Sequence, residues 1–169
     1  MKRILIIGSP GTGKTTFATQ LAEKTKLPLI HLDLYYHDKS KDYYNEINKE
    51  AWYAKVDELI SKDKWIIDGN YNSTLEARVR RADTIIFFDF SRRAAFNGVL
   101  QRRVKPHNKK RHDMPSDWRE HIDFGFLRYI WKYNKDKRPK VRETIFAPKD
   151  KTVVVFRNRK DANNFLTML

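Results

Sequence analysis

No cysteine occurs among the 169 residues. That excludes disulfides, a thiolate nucleophile and cysteine-ligated zinc, and it fits a reducing cytosol, so a cytoplasmic location is expected. No apolar run approaches the roughly 18 residues of a membrane span. Met1-Lys2-Arg3 leads only into Ile4 to Ile7, too short for a signal-peptide core, so export is not expected. The five histidines (31, 37, 107, 112 and 121) show no metal-ligand spacing such as H-x₃-H on one helix and read as structural or surface groups. Internal repeats, low-complexity tracts and linkers are missing, which at this length implies one domain over 1–169. Acids are scarce: 21 Asp and Glu face 35 Lys and Arg, for a net charge of +14. Such a field favours polyanions, whether nucleotides, nucleic acid or an anionic membrane. Nine of those fourteen charges fall between Leu100 and Arg142. This basic segment, about 100–142, reads as an insertion into the single domain.

What is present is a core. Hydrophobic residues make up 40% of the chain and aromatics 13%, which excludes wholesale disorder. Apolar runs at Arg3–Ile7, Leu29–Leu32, Trp65–Ile67, Thr84–Phe88 and Thr152–Phe156 read as strands. Helical patterns alternate with them: Lys14 to Lys26, a stripe of Ala51, Trp52, Val56, Leu59 and Ile60, a run from a Ser91 cap to about Val104, and Arg159 to Leu169. A further helix is expected after Ser116, with Ile122, Phe126, Ile130 and Tyr133 on one face. Uniformly apolar strands alternating with helices mean an α/β fold, a parallel sheet covered on both faces. In such sheets ligands sit beyond the carboxyl ends of the strands. Gly8, Asp33, Asp68, Asp89 and Arg157 stand at those ends.

Gly8-Ser9-Pro10-Gly11-Thr12-Gly13-Lys14-Thr15 matches G-x-x-x-x-G-K-[ST] in full, after a strand and before a helix. The glycines let the backbone wrap so that successive N–H groups point at phosphate oxygens. The helix from Lys14 adds its positive dipole end. Lys14 is expected to reach the β- and γ-phosphates of ATP, and Thr15 to ligate Mg²⁺. Phosphoryl transfer also needs an acid near the metal and often one to take a hydroxyl proton. Asp68 suits the metal role and Asp33 the acceptor side. Asp89 either serves the metal or simply ends its strand. Arg102, Arg103 and Arg111 can clamp a transferring phosphoryl group or merely coat a solvated face, and Asp113 can pin Arg111. Tyr35, Tyr36, Tyr43 and Tyr44 offer rings to stack an acceptor base or to pack on a helix. Trp52, Trp65, Trp118 and Trp131 fall in helix or strand patterns and are expected in the core.

The loop's form, G-x-P-G-x-G-K-T, resembles the adenylate-kinase branch of nucleoside-monophosphate kinases. Further elements extend the resemblance: His31-Leu32-Asp33, Trp65-Ile-Ile-Asp-Gly-Asn-Tyr71, Ala82-Asp-Thr-Ile-Ile-Phe-Phe-Asp89, the block Arg102-Arg103 to Arg111-His-Asp113, Phe126 to Trp131, and Val153 to Arg157. Together they are similar to the small bacterial "DNA topology modulation protein" (FlaR-type) group within the adenylate-kinase-like P-loop proteins. The resemblance implies a P-loop NTPase three-layer sandwich with strand order 2-3-1-4-5 and a mobile basic lid between strands 4 and 5. It implies that Gly11, Gly13, Lys14, Thr15 and Thr16 line the ATP phosphates and that Asp68 takes a metal-water role. It makes Arg102, Arg103 and Arg111 lid arginines and sets Arg157 and Asn158 near the adenine. Adenylate kinases carry Asp-Gly-Phe-Pro-Arg where this chain has Asp68-Gly69-Asn70-Tyr71. The arginine that grips an acceptor phosphate is absent, which weighs against a nucleoside monophosphate. His31-Leu32-Asp33 before Tyr35 instead looks like kinases acting on a nucleoside or other small alcohol. The leading expectation is an ATP- and Mg²⁺-dependent kinase of a nucleotide, a nucleoside or another small molecule. The alternative is a nucleic-acid-binding ATPase or regulator that uses the basic segment on a phosphate backbone.

Overall fold

The computed structural model describes residues 1–36, 49–104 and 124–169, the side chains of 102–104 apart. Five strands form one sheet: β1 (Arg3–Gly8), β2 (Leu29–His31), β3 (Trp65–Asp68), β4 (Thr84–Phe88) and β5 (Thr152–Phe156). Their spatial order is β2-β3-β1-β4-β5, and every neighbouring pair is parallel. The strand order and the doubly covered sheet are those expected.

The two-residue period of a strand assigns the layers. Leu5 and Ile7 point to one face, with Ile67, Ile85 and Phe87. That face is covered by α3 (Lys49–Ser61), α4 (Leu75–Arg81) and α7 (Arg138–Phe146) through Trp52, Val56, Leu59, Leu75, Val79, Val141 and Ile145. Ile4 and Ile6 point the other way, with Ile66, Ile86 and Phe88, under α1 (Lys14–Thr25) and α8 (Arg159–Thr167). Phe17 of α1 meets Phe88 and Phe156 edge-to-face at 5.3 Å in each case. Burying one such side chain is worth about 1.5–3 kcal/mol. A smaller cluster, Ala95 and Val99 with Ile130, joins α5 (Arg92–Val104) to α6 (Phe124–Asp136).

Several expectations change. β2 ends at His31, and Leu32 opens a short helix, α2 (Leu32–Tyr36), because Leu32 is fully buried in the core beneath Gly69. Helices α4 and α7 carry no clear sequence signal. The charge pattern bounds the insertion at about 100–142, yet residues 138–142 belong to α7, whose Val141 lies in the sheet core. Trp52 and Trp65 are core residues, but Trp131 is 46% exposed, with the Arg92 guanidinium 5.3 Å over its ring. Tyr43, Tyr44, Trp118, the Ser116 cap, Ile122, Asp113 and the histidines 37, 107, 112 and 121 lie outside the described residues.

Candidate functional site

Gly8, His31 and Asp68 close β1, β2 and β3 at the same edge of the sheet. From there the loop turns directly into α1. Gly13, at the helix N-cap, has φ 91°, a left-handed conformation that a side chain would strain. The first N–H groups of α1 and the positive end of its dipole therefore face the loop. Ser9 is the loop's internal anchor. Its carbonyl accepts from the buried Thr12 hydroxyl at 2.8 Å and from the Lys14 ammonium at 2.9 Å. Pro10 is half-buried and Thr16 is exposed on α1.

The Thr15 hydroxyl donates to Asp68 Oδ2 at 2.8 Å. This joins the two residues that the sequence singles out for a metal. Among the described residues no group of three or more His, Cys, Asp or Glu side chains is arranged to hold an ion. A hydroxyl and one carboxylate, completed by phosphate oxygens and water, are nevertheless the donor set magnesium takes in phosphoryl-transfer sites. His31 stands directly opposite Asp68 in the β2–β3 register, so both side chains leave the sheet on the same face. Its Nδ1 lies 3.5 Å from Asp68 Oδ2. Composition and spacing gave no hint of this neighbour; only the strand register supplies it.

The segment after β3 ties the site together. The Asn70 side chain accepts from the Gly8 N–H at 3.0 Å and donates to the Gly8 carbonyl at 2.6 Å, stapling this loop to the start of the phosphate loop. The Tyr71 hydroxyl donates to Asp33 Oδ1 at 2.6 Å. Burial, reinforced by the Asp33 carboxylate beside it, pushes the Tyr71 phenol far above its ordinary value, so it stays a donor. Around this pair Tyr36, Trp52 and Tyr71 pack ring against ring at 4.5–5.0 Å, and Lys55 sits 5.4 Å over Tyr35. Beneath them Arg78 is fully buried and donates to the carbonyls of Gly69, Tyr71 and Thr74. Burial lowers its pKa to about 10. The sequence does carry a trace of it. Leu75, Arg78 and Val79 fall at i, i+3 and i+4, which puts an arginine on the buried stripe of α4.

Other candidates lie elsewhere. Asp89 is held by Arg138, at 2.5 and 2.8 Å, and by Arg142, at 2.9 Å, which makes it the post that fastens α7 to the end of β4. Arg157 and Asn158 are exposed after β5. The Asn158 side chain caps α8 by accepting from the Asp161 N–H at 3.0 Å, and the Arg157 N–H donates to Asp161. Arg102 and Arg103 fall in the last turn of α5, with their side chains outside the description; Arg111 lies outside the described residues altogether. Helix α5 itself reaches the phosphate loop. A Cβ on Gly98 would lie 1.9 Å from the Gly11 carbonyl oxygen, and one on Gly11 would lie 2.4 Å from the Ala95 carbonyl oxygen. A basic cleft of about 900 Å³ opens where α5 begins and α6 ends, lined in part by Arg92, Arg93, Lys132 and Lys135. No helix among the described residues is long and apolar enough to cross a membrane.

Residues 4–90 match the family described as "ATPase family associated with various cellular activities (AAA)". An adenylate kinase from Thermotoga neapolitana is 29% identical over 83 residues, which is 49% of this chain. The match spans only 36% of that relative's length. Among solved structures, a shikimate kinase from Acinetobacter baumannii in complex with shikimate aligns with a TM-score of 0.67, covering 99% of this chain and 90% of that chain at 13% identity. A deoxyadenosine kinase from M. mycoides aligns at 0.58, covering 98% and 95% at 13% identity. A gluconokinase from Sinorhizobium meliloti 1021 aligns at 0.55, covering 99% and 92% at 16% identity. Identities this low speak to the fold, which is that of the P-loop kinases.

Proposed function

Because this chain belongs to the ATPase family associated with various cellular activities (AAA), we propose that it is an ATP-dependent phosphotransferase whose acceptor is a small alcohol such as a nucleoside. One observation carries the reading. A phosphate loop joined to Asp68 through Thr15 stands at the same sheet edge as a second carboxylate, Asp33, fixed by Tyr71 inside an aromatic cluster. The first half is a triphosphate site and the second an acceptor site.

In this reading the loop N–H groups and the start of α1 hold the phosphate chain. Lys14 swings its ammonium from the Ser9 carbonyl to the β- and γ-phosphates, where it offsets charge on the transferring group. Thr15 and Asp68 would hold Mg²⁺, which when bound neutralises phosphate charge. Asp33, oriented by the Tyr71 hydroxyl, accepts the proton of the acceptor hydroxyl. That oxygen forms the new bond to the γ-phosphorus as the bond to the bridging oxygen breaks and ADP leaves. Gly8, Pro10, Gly11, Thr12, Gly13 and Thr16 shape the cradle, and Arg157 and Asn158 border the adenine. Arg102, Arg103 and Arg111 supply further positive charge from the basic lid. The same reading includes kinship with the FlaR-type group, whose resemblance spans nearly the whole chain and is most specific at Asp68-Gly69-Asn70-Tyr71.

Arg78 argues for an uncharged acceptor. It lies on the buried stripe of α4, behind the loop after β3, and its guanidinium is committed to three backbone carbonyls. An anionic acceptor would need a different cation. Incubating the protein with ATP, Mg²⁺ and a panel of nucleosides, sugars, polyols and nucleoside monophosphates, with product mass as readout, tests the reading. A mass gain of one phosphoryl group on an alcohol, lost in Asp33→Asn with ATP affinity retained, is expected. Phosphorylation of monophosphates alone, or none beyond water, would refute it.

A further inference from the structure

We infer that His31 is a third protein ligand of the divalent ion, giving this site a nitrogen donor and a preference for manganese-like ions over magnesium. The inference rests on the phosphotransferase reading and deepens it. Its starting point is an orphaned atom. His31 Nδ1 is shut off from solvent and has no hydrogen-bond partner, although the side chain is only 11% exposed. Buried polar atoms are nearly always paired, so one that is not asks for a reason. The nearest acidic atom, Asp68 Oδ2, is 3.5 Å away, an ion-pair distance at which no hydrogen bond forms, and it also accepts the Thr15 hydroxyl at 2.8 Å.

The arrangement has the dimensions of a coordination shell. Adjacent ligands around an octahedral ion with bonds near 2.1 Å lie about 3 Å apart. The spacings along Thr15 Oγ1, Asp68 Oδ2 and His31 Nδ1, 2.8 and 3.5 Å, bracket that value. A cation between imidazole and carboxylate would be ligated by both, where the 3.5 Å contact leaves Nδ1 without a hydrogen bond. The position is enforced by the backbone: His31 and Asp68 are register partners on β2 and β3, so neither can leave without breaking the ladder. Magnesium takes oxygen donors almost exclusively, whereas imidazole suits transition-metal ions. A site with one nitrogen therefore shifts its selectivity.

Electron paramagnetic resonance of Mn²⁺ in the presence of ADP tests this. The free-ion signal gives the affinity, and electron spin-echo modulation reports any nitrogen bonded to the metal. The unmodified chain should show ¹⁴N modulation that converts to a ¹⁵N pattern when its histidines alone are labelled. In His31→Gln the modulation should vanish, and Mn²⁺ affinity should fall about tenfold while Mg²⁺ affinity, measured by competition, stays within about twofold. His31→Asn replaces that variant if circular dichroism finds it unfolded, and the labelling experiment needs no variant at all. Retained Mn²⁺ without nitrogen modulation, or equal losses for both ions, overturns the inference and leaves the phosphotransferase reading standing. Failure to retain Mn²⁺ at all overturns both. A histidine that merely packs would give no such modulation, and its replacement would leave the Mn²⁺/Mg²⁺ ratio unmoved.

Discussion

Asn70 offers the sharpest test of how the phosphate loop is held. Its amide is used at both ends: Oδ1 takes the Gly8 N–H and Nδ2 gives to the Gly8 carbonyl. Replacing Asn70 with Asp keeps the shape and the first bond, but it sets a carboxylate oxygen against the carbonyl only 2.6 Å from where the donor stood. One hydrogen bond of about 1 kcal/mol is lost, and a buried carbonyl left without its donor costs about 1–3 kcal/mol more. Repulsion between the two oxygens adds to this, so a total near 3 kcal/mol is expected at pH 7. In urea, with a slope of about 2 kcal/mol/M, the midpoint should drop by about 1.5 M without a change in slope. The buried Trp52 and Trp65 provide the fluorescence signal. Acid should repair the variant. The introduced carboxyl is destabilised when charged, so its pKa in the folded protein stands above the value of about 3.9 in the unfolded chain. The stability it restores is fully present below the unfolded pKa and is lost as pH rises through the folded one, because a protonated carboxyl can donate to the Gly8 carbonyl. Asn70→Ala should show a deficit that does not follow pH in this way. If Asn70→Asp matches the natural chain at pH 7, or if its deficit ignores pH, the staple does not hold the loop.

Lys14→Ala should abolish measurable ATP binding by calorimetry while leaving the unfolding free energy within about 0.5 kcal/mol, since the bond from its ammonium to the Ser9 carbonyl is only partly buried. Asp83 accepts from Thr84 Oγ1 and from the N–H groups of Lys2 and Arg3, each at 2.8–2.9 Å. Burial works to raise its pKa, but these bonds outweigh it and hold the group below the ordinary carboxylate value. Its stabilisation is present above the unfolded pKa and fades as pH falls through the folded one, so Asp83→Asn should flatten acid unfolding below about pH 4, by under about 1 kcal/mol for so exposed a group. Tyr71→Phe should lower kcat for the acceptor while ATP affinity stays within about twofold, because the lost hydroxyl touches Asp33 and not the phosphate loop.

The chain announced its sheet and its loop but not its cross-connections. β3 and β4 are fully buried, as is β1 beyond Arg3, so their apolar runs stand out without alternation. The loop is legible because phosphate binding demands glycines and a lysine at fixed offsets. α7 is not, because its contribution to the core comes from only two residues, Val141 and Ile145, amid lysines and arginines. Asp89 reads as a site residue from its place at a strand end, yet its partners Arg138 and Arg142 lie 49 and 53 residues away. The pairing of His31 with Asp68 is hidden for the same reason: the two lie 37 positions apart, and no local pattern encodes register between parallel strands.

The contact between Gly98 and Gly11 makes two parts of the molecule answer to one equilibrium. With 1.9 Å between the Gly11 carbonyl oxygen and the place where a side chain would begin on Gly98, nothing compressible separates α5 from the phosphate loop. Two backbones in such contact move together or not at all. Any shift of Gly11 is handed to α5, whose Gly98 stands against it. The traffic runs equally in reverse, since a coupling between two sites has the same size seen from either end. Whatever repositions α5 therefore repositions the carbonyl of Gly11, because no side chain stands between Gly98 and the loop.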